Sequence, residues 1–329
     1  MDKCEKIADD IFRQHGLNFV TAERAGGWTN AVWLNGDIVL RLSKERESNR
    51  IRREIERSKK LPPSVGYPKN ITVGVTDGYE WSLSERKQGV VLSGVWNGFS
   101  WSEKAAAVSQ ILDIMNAVHS VEVKAVEPLT LKTAWYNSFN EENSFADIDR
   151  YVTQKMFTAE QGRNLFDILE RFYKLNDCTP PVLCHGDITM DNLLWHEGNI
   201  VSLLDFEHSV IAPRQLDVHS LVNLTFISYD EATSTDIVLF ADDNQEIKNY
   251  VAGMIPLFKP FLSEQNDKDL FMGYNVLYRQ RFLEFWLAEP EGAIDKCDAY
   301  QKLLSLSDGN GGYLSELIQE QGNNSWKKT

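Results

Sequence analysis

The sequence predicts an α+β protein with two lobes: a small β-rich amino-terminal lobe over residues 1–87 and a larger, mostly helical lobe over residues 88–329. A length of 329 residues is too great for one ordinary core and suits two units of about 150 residues each. The first ninety residues show strand-like apolar runs and a tight-turn signal. From Ser100 onward, by contrast, apolar residues recur at helical spacing.

The amino-terminal lobe begins with alternating strand-like segments. Strands are expected at 18–24 and 30–34, on either side of a glycine-containing loop at 25–29. The dipeptide Asn35-Gly36 then separates the second strand from an apolar run at 38–42. Both residue types tolerate the positive φ of a tight turn, so this pattern predicts a β-hairpin.

A charged stretch at 44–60 follows the hairpin, and its only large apolar residues are Ile51 and Ile55. Residues four apart share one face of a helix, so the stretch is expected to form a mostly solvated helix with one buried edge. Pro62-Pro63 ends it, and residues 67–86 return to a strand-like composition.

Two long helices are predicted in the larger lobe by their starting residues. Ser100 with Glu103, and Thr158 with Gln161, have the spacing of a capping box, in which each side chain bonds the other residue's backbone amide. Each start precedes apolar residues on one helical face. The intervening residues 134–150, rich in Asn, Ser and acids, are expected to form a long loop or lid.

Composition and charge exclude several classes of protein. Basic residues number 34 and acidic residues 48, and the resulting charge of −14 argues against a nucleic-acid partner. The absence of a long uncharged apolar run argues against a membrane span, and an acidic start argues against a secretory signal. Four scattered cysteines without a paired spacing argue against a disulfide framework or a zinc site, so a cytoplasmic protein is expected.

The densest set of chemically useful residues lies in 182–217. His185-Gly186-Asp187 follows an apolar run, and Asn192 immediately precedes a second one. A short charged turn leads to a third apolar run, which ends at Asp205-Phe206-Glu207. If the last two runs pair as a hairpin, Asp187, Asn192 and Asp205 come together at its open end.

Such a trio suits phosphoryl transfer, a reaction that needs positioning and charge neutralisation. The carboxylate of Asp187 can accept the proton of an attacking hydroxyl or orient that hydroxyl. The side-chain oxygens of Asn192 and Asp205 are ligands that Mg²⁺ prefers. The spacing matches the catalytic-loop and metal-binding sequences of protein kinases. A turn Asp and Asn beside a buried strand explains each residue singly but not their joint spacing.

With Asp-Phe-Glu in place of Asp-Phe-Gly, the sequence resembles the aminoglycoside phosphotransferase and choline kinase-like family over roughly residues 20–225. The resemblance implies a protein-kinase-like fold, with ATP or GTP and Mg²⁺ as cofactors. It implies that Asp187 is the base and that Asn192 and Asp205 hold the metal, and it makes Asp217 a structural residue. His185 is interpreted as fixing the loop by hydrogen bonds, and Cys184 as a buried hydrophobe.

The resemblance also implies nucleotide-binding residues in the small lobe. Family members carry a lysine for the α/β-phosphates where this chain has Arg41, and Glu54 on the buried edge of the charged helix is its expected partner. An ordinary exposed ion pair is the alternative. The remaining expected contacts are a loop over the phosphates and a hinge strand whose backbone meets the purine, namely Gly26, Gly27, Trp28, Thr29, Ser84, Glu85 and Arg86.

The acidic balance of the larger lobe suggests a cationic acceptor. Residues 1–90 carry a charge of +3 and residues 91–329 a charge of −17, although solubility explains this equally well. Candidate contacts are Glu141, Glu142, Glu284 and Glu289. An aminoglycoside is the leading acceptor, ahead of a choline-like amine, another amino-sugar or a macrolide. A catalytically silent nucleotide-binding protein is the alternative from another class, and the oligomeric state is left open.

Overall fold

The structure of the chain is a computed structural model. It describes residues 2–27, 29–125, 140–228, 237–238, 253–287 and 298–308. Trp28 and Glu289 lie outside the described residues. No helix within the described part is both long and apolar enough to cross a membrane.

The small lobe is built on an antiparallel sheet of five strands in the order β1-β2-β3-β5-β4. The strands are β1 (Glu23–Ala25), β2 (Asn30–Asn35), β3 (Ile38–Arg46), β4 (Asn70–Thr76) and β5 (Tyr79–Glu85). The hairpin of β2 and β3 is confirmed, but its two-residue loop is Gly36-Asp37, one position later than expected. Of the two loop residues, only Gly36 has positive φ. Asn35 is still paired with Ile38 and therefore belongs to β2.

A helix that the sequence reading did not predict, α1 (Lys3–Gln14), covers one face of this sheet. It begins with a capping box between Asp2 and Glu5. Its buried side chains join those of alternate residues on β2, β3 and β5, and the shared core is Ile7, Ala8, Ile11, Phe12, Ala31, Trp33, Leu40, Leu42, Trp81 and Leu83. Because Leu40 and Leu42 face α1, Arg41 between them points to the opposite face.

The opposite face carries α2 (Arg50–Ser58). This helix starts later than the sequence suggested, because β3 runs on to Arg46. The expected strand at 18–24 is also shorter, since Phe19–Thr21 forms a 3₁₀ turn and only Glu23–Ala25 pairs. Ile51 and Ile55 are buried as predicted, but so are Glu54 and Arg57 on the same helix. The edge of α2 that faces the protein therefore carries charge as well as apolar surface.

The larger lobe is mostly helical. Its helices are α3 (Ser93–Trp96), α4 (Trp101–His119), α5 (Glu141–Thr153), α6 (Ala159–Asn176), α7 (Gln215–Phe226), α8 (253–258), α9 (Gln265–Leu287) and α10 (Asp298–Ser307). Both predicted capping boxes are present, at the starts of α4 and α6. The expectation of a loop or lid was wrong for residues 141–150, which lie in α5. Asn140 caps that helix by accepting from the amides of Glu142 and Asn143.

Short strands within the helical lobe carry the segments that matter for chemistry. The strands are β6 (Val90–Val91), β7 (Val182–Cys184), β8 (Leu193–His196), β9 (Asn199–Leu203), β10 (Val210–Ala212), β11 (Ile227–Ser228) and β12 (Ile237–Val238). Strands β8 and β9 form the predicted hairpin, with Leu193 opposite Leu203, and β7 pairs with β10. The apolar side chains of these pairs belong to the large core that α4, α6, α7 and α9 enclose. A packed core thus supports the segments that carry residues 185–192 and Asp205.

Candidate active site

The open end of the β8–β9 hairpin brings the first oxygen donors together. The backbone amide of Leu204 donates to the carbonyl of Asn192 at 2.8 Å, so Asn192 lies beside the residue that precedes Asp205. Nδ2 of Asn192 donates to the carbonyl of Asp187 at 2.9 Å and to Oδ2 of Asp187 at 3.2 Å. The amide nitrogen is therefore turned toward Asp187, and the amide oxygen of Asn192 is left for another partner.

His185 fixes the loop between β7 and this hairpin. Its Nδ1 accepts from the backbone amide of Asp187 at 3.2 Å, and its Nε2 lies 2.7 Å from the carbonyl of Leu204. Because Nδ1 is an acceptor, the proton resides on Nε2, which donates to Leu204. The ring also meets Phe206 edge-on, with centroids 4.5 Å apart. These contacts hold the loop in place, which is the role that the sequence predicted for His185.

The buried carboxylate of Asp217 holds the same loop. Oδ2 and Oδ1 of Asp217 on α7 accept the backbone amides of His185 and Gly186, both at 2.9 Å. Oδ2 also lies 2.9 Å from Nε2 of His119 at the end of α4. Burial alone raises the pKa of Asp217, but the hydrogen bond and charge of His119 outweigh it, so the pKa is lowered.

Cys184 lies close to His119 and Asp217, and their ligand atoms are within 4.8 Å of one another. Both oxygens of Asp217 are already engaged by loop amides, and the pKa of the Cys184 thiol is raised by its complete burial. A protonated thiol is a poor metal ligand. This cluster therefore supports the loop and does not resemble a metal site.

Asp205 follows β9 in a left-handed backbone conformation, with φ 62° and ψ 65°. Its Oδ1 accepts from Nη2 of Arg41 at 3.2 Å, and its side chain is one-third exposed. Burial raises the pKa of Asp205 to about 7, although the charge of Arg41 opposes that shift. Together with the amide oxygen of Asn192, this carboxylate offers the hard oxygen donors that suit Mg²⁺.

The guanidinium group of Arg41 lies between two carboxylates and donates to both. Nη1 donates to Oε1 of Glu54 at 2.8 Å while Nη2 reaches Asp205, so Glu54 is its partner as expected. The same Glu54 oxygen accepts from the hydroxyl of Tyr67 at 2.7 Å and from the amide of Phe206 at 3.1 Å. Because Glu54 is fully buried, these contacts form an internal network and not the exposed ion pair of the alternative interpretation.

The glycine loop lies against the Asp-Phe-Glu segment. The hydroxyl of Thr29 donates to Oε1 of Glu207 at 2.8 Å. Gly27 is required where it lies, because a Cβ there would collide with the carbonyl oxygen of Asn30, whereas Gly26 meets nothing nearby. Lys44 donates to the carbonyl of Gly27 at 2.6 Å. Backbone and side-chain contacts therefore hold this loop above the segment that contains Asp205.

Glu207 is buried, and one of its oxygens, Oε2, has no hydrogen-bond partner among the described residues. Burial raises its pKa, but hydrogen bonds from His208 and Thr29 outweigh that effect and hold the pKa at about 2. Glu207 is therefore a carboxylate at neutral pH. Two carboxylates, Asp205 and Glu207, thus flank the buried Phe206.

The expected hinge residues end strand β5. The amide of Glu85 donates to the carbonyl of Lys69 at 3.0 Å, and the amide of Arg86 donates to that of Asp37 at 2.7 Å. Ser84 is still paired, with Val39 on one side and Asn70 on the other. The amides of Glu85 and Arg86 are thus engaged within the sheet and its turns.

The described acidic candidates lie on two helices. Glu141 and Glu142 are exposed in the first turn of α5. Glu284 on α9 accepts from Arg150 at 2.6 Å and from the hydroxyl of Tyr151 at 2.5 Å. The charge of Glu284 is therefore partly neutralised by α5, while the two glutamates at the start of that helix face solvent.

Three residues of the site were not found by sequence reasoning. Tyr67, Arg57 and Glu207 contact the network of Arg41 and Asp205 or its adjoining turn, yet none follows from a helical or strand period. His119, which the sequence analysis did not single out, also reaches Asp217. Only two sequence features point to these contacts, and both are weak. His119 lies at the end of an apolar helix, and Arg57 lies one turn beyond Glu54.

Comparisons with known proteins found relatives in sequence and in structure. A family model described as the phosphotransferase enzyme family matches residues 21–242. An aminoglycoside 3'-phosphotransferase from Escherichia coli is 25% identical over 191 residues, which are 57% of this chain and 68% of that protein.

Solved structures show the fold. An ADP-bound aminoglycoside phosphotransferase, APH(2'')-Ib, is similar with a TM-score of 0.60 at 14% identity, covering 94% of this chain and 99% of the other. The GDP complex of aminoglycoside 2'-phosphotransferase-IIIa also has a TM-score of 0.60, at 16% identity and the same coverage of both chains. These likenesses confirm the predicted two-lobed, protein-kinase-like α+β fold.

Proposed function

The chain belongs to the phosphotransferase enzyme family, and we propose that it transfers the γ-phosphate of ATP or GTP to a hydroxyl of a cationic small molecule. It is a small-molecule kinase with a nucleotide as phosphate donor. An aminoglycoside is the leading acceptor, in keeping with the names of the relatives. A choline-like amine, another amino-sugar and a macrolide are the other acceptors to be tested.

One observation carries the proposal: three oxygen-bearing side chains from separate stretches meet at the end of one hairpin. Asn192 bonds Asp187 directly, and its backbone pairs with Leu204, the neighbour of Asp205. Arg41 of the other lobe reaches Asp205 at 3.2 Å. A base candidate, two oxygen donors and a cation for phosphate therefore occupy one place.

Each residue has a role that its contacts support. Oδ2 of Asp187 is held by Asn192, which leaves Oδ1 to accept the proton of the substrate hydroxyl. The hydroxyl oxygen bonds the γ-phosphorus as the bond to the bridging oxygen breaks and the nucleoside diphosphate leaves. Asn192 and Asp205 would hold Mg²⁺, which supplies neutralisation of phosphate charge when bound. Arg41 would steady the α/β-phosphates, since guanidinium forks onto phosphate oxygens.

Contacts of the small lobe suggest where the nucleotide lies. The loop containing Gly26, Gly27 and Thr29 lies against the segment of Asp205, which supports its place over the phosphates. We propose that the purine meets backbone groups near Ser84, Glu85 and Arg86, through atoms other than the amides of Glu85 and Arg86, which are already engaged.

The acceptor would be met by acidic side chains of the larger lobe. Glu141 and Glu142 are exposed and carry the charge that attracts a polycation. Because Glu284 forms an ion pair with Arg150, α9 should attract a cationic acceptor less strongly than its composition suggested. We therefore expect α5 to contribute more of the attraction than α9.

Release of ADP and GDP, measured separately by coupled assays, tests the proposal across aminoglycosides, choline-like amines, sugars and macrolides. Turnover above the hydrolysis background with one class, lowered about a hundredfold or more in Asp187→Asn, is the expected result. Binding of Mg·ATP or Mg·GTP without transfer to any acceptor would favour the catalytically silent alternative. Transfer at the wild-type rate in Asp187→Asn would remove Asp187 as the base.

A further inference from the structure

The turn that follows Asp205 is held by α2. Phe206–His208 forms a 3₁₀ turn, closed by the amide of Ser209 donating to the carbonyl of Phe206 at 3.1 Å. The hydroxyl of Ser209 donates to the same carbonyl at 2.6 Å. Phe206 and Ser209 are both fully buried, so the turn has no solvent around either end.

Two side chains of α2, three positions apart, reach the two ends of this turn. Glu54 accepts the amide of Phe206 at 3.1 Å. Nη1 of Arg57 donates to both the carbonyl and the hydroxyl of Ser209, each at 2.7 Å. Residues three apart lie on one face of a helix, so α2 presents an acceptor and a donor at the spacing of the turn.

The position of Arg57 is unusual for an arginine, since only 5% of the residue is exposed. Arginine is rarely this buried unless its donors are satisfied, because removing the charge from water is costly. Here the charge reaches across 152 residues of sequence to the carbonyl and hydroxyl of Ser209, four residues after a metal-ligand candidate. Arg52, on the same helix, remains 57% exposed.

We propose that Arg57 is a positioning residue which, with Glu54, clamps the turn after Asp205 onto α2 and thereby fixes the Asp205 carboxylate. The inference rests on the proposed function, because it assigns the clamp a purpose at the metal site. Asp205 has a left-handed backbone, and its direct neighbour in the chain is bonded to α2. Fixing that neighbour limits the backbone rotations that would move the carboxylate away from Asn192 and Arg41.

The clamp predicts a local effect in the protein without nucleotide or metal. In Arg57→Met, amide hydrogen exchange over residues 203–210 should accelerate about tenfold or more, while peptides from α1 and α6 keep their rates. In the loaded enzyme, the Mg²⁺ concentration for half-maximal activity should rise several-fold with little change in the KM of the acceptor. Arg50→Met is the matched control, because it removes one positive charge from α2 at an exposed ion pair with Glu45.

Conservative variants separate positioning from general stability. Arg57→Lys retains one donor for Ser209 and should recover much of the exchange protection and Mg²⁺ response. If Arg57→Met does not fold, Ser209→Ala decides the question. It removes one of the two acceptors of Arg57 together with the hydroxyl's own bond to Phe206, and should accelerate exchange in the same peptide.

Unchanged exchange in both the Arg57→Met and Ser209→Ala proteins would overturn the clamp. So would acceleration spread evenly over both lobes, since that reports only a less stable protein. If the variants show the localised exchange effect but the wild-type protein transfers phosphate to no acceptor, the clamp is supported and the proposed function is contradicted.

Discussion

Nδ2 of Asn192 lies 3.2 Å from Oδ2 of Asp187 and 2.9 Å from the carbonyl oxygen of the same residue. One amide thus restrains both the side chain and the backbone of the candidate base. The amide oxygen of the same residue is the atom proposed to bind the metal, so a single planar group would link the candidate base to the proposed metal. Displacing one is expected to disturb the other.

Replacing Asp187 with asparagine should lower kcat by about a hundredfold or more, the range for loss of a general base. The affinity for Mg·nucleotide should change little, because Asp187 is not proposed to hold the metal. Titration calorimetry and steady-state turnover measure the two quantities. Asp191→Asn is the control: its carboxylate accepts from Ser93 at 2.5 Å and is exposed. Equal turnover of Asp187→Asn and wild type would contradict the assignment.

Asp205→Ala should weaken Mg·nucleotide binding itself. The substitution removes one of two proposed metal ligands and leaves Nη2 of Arg41 without its carboxylate partner. Isothermal titration with the nucleotide, in the presence and absence of Mg²⁺, separates the metal contribution from that of Arg41. An affinity that is unchanged in the presence of Mg²⁺ would remove Asp205 from the metal site.

Arg41→Met should destabilise the fold by about 3–5 kcal/mol, because the fully buried carboxylate of Glu54 loses its counter-charge. Arg41→Lys should cost less, since an ammonium group can still reach one of the two carboxylates. Urea denaturation measures both. Arg50→Met breaks the exposed ion pair with Glu45 and should cost no more than about 1 kcal/mol. Similar losses for Arg41→Met and Arg50→Met would show that the Arg41 network adds little to stability.

We expect the free energy of unfolding to depend on pH through His219. Burial, together with the charge of Arg279, lowers its pKa to about 3. Between pH 3 and the ordinary histidine value near 6.5, the unfolded chain therefore binds the proton and the folded chain does not. Stability is lost as pH falls through this window, by on the order of 1 kcal/mol between pH 7.5 and 5.5 for this single group.

His219→Gln should remove that part of the pH dependence, whatever its effect on stability at pH 7.5. Denaturation at the two pH values gives the difference directly. His196 is exposed, and His196→Gln should leave the dependence as in the wild type. A His219→Gln protein that loses as much stability on acidification as the wild type would show that His219 does not titrate as its burial implies.

Much of the fold was predictable because its signals are local. The capping boxes at Ser100 and Thr158, and the apolar faces that follow them, depend on residues within one helix. The helix α1 was predictable in principle, since Asp2 and Glu5 have the same capping spacing. It was missed because the acidic start was considered only as evidence against a secretory signal.

Other local expectations failed for identifiable reasons. The helix α2 was started too early because charged residues 44–46 suit an exposed strand end as well as a helix. Residues 141–150 were taken for a loop because of their Asn and Ser content, but Asn140 serves as a cap and α5 packs on α6 and α9. Tertiary packing overrode composition in both places.

The identities and spacing of Asp187, Asn192 and Asp205, and the hairpin that gathers them, are determined by a short stretch of sequence, because adjacent strands joined by a tight turn must bring their ends together. Only the folded chain decided what surrounds them. Arg41 and Asp205 are 164 positions apart, Thr29 and Glu207 are 178 apart, and Arg57 and Ser209 are 152 apart. Contacts across such distances leave no periodic pattern in the sequence, since they arise where elements far apart in the chain pack together.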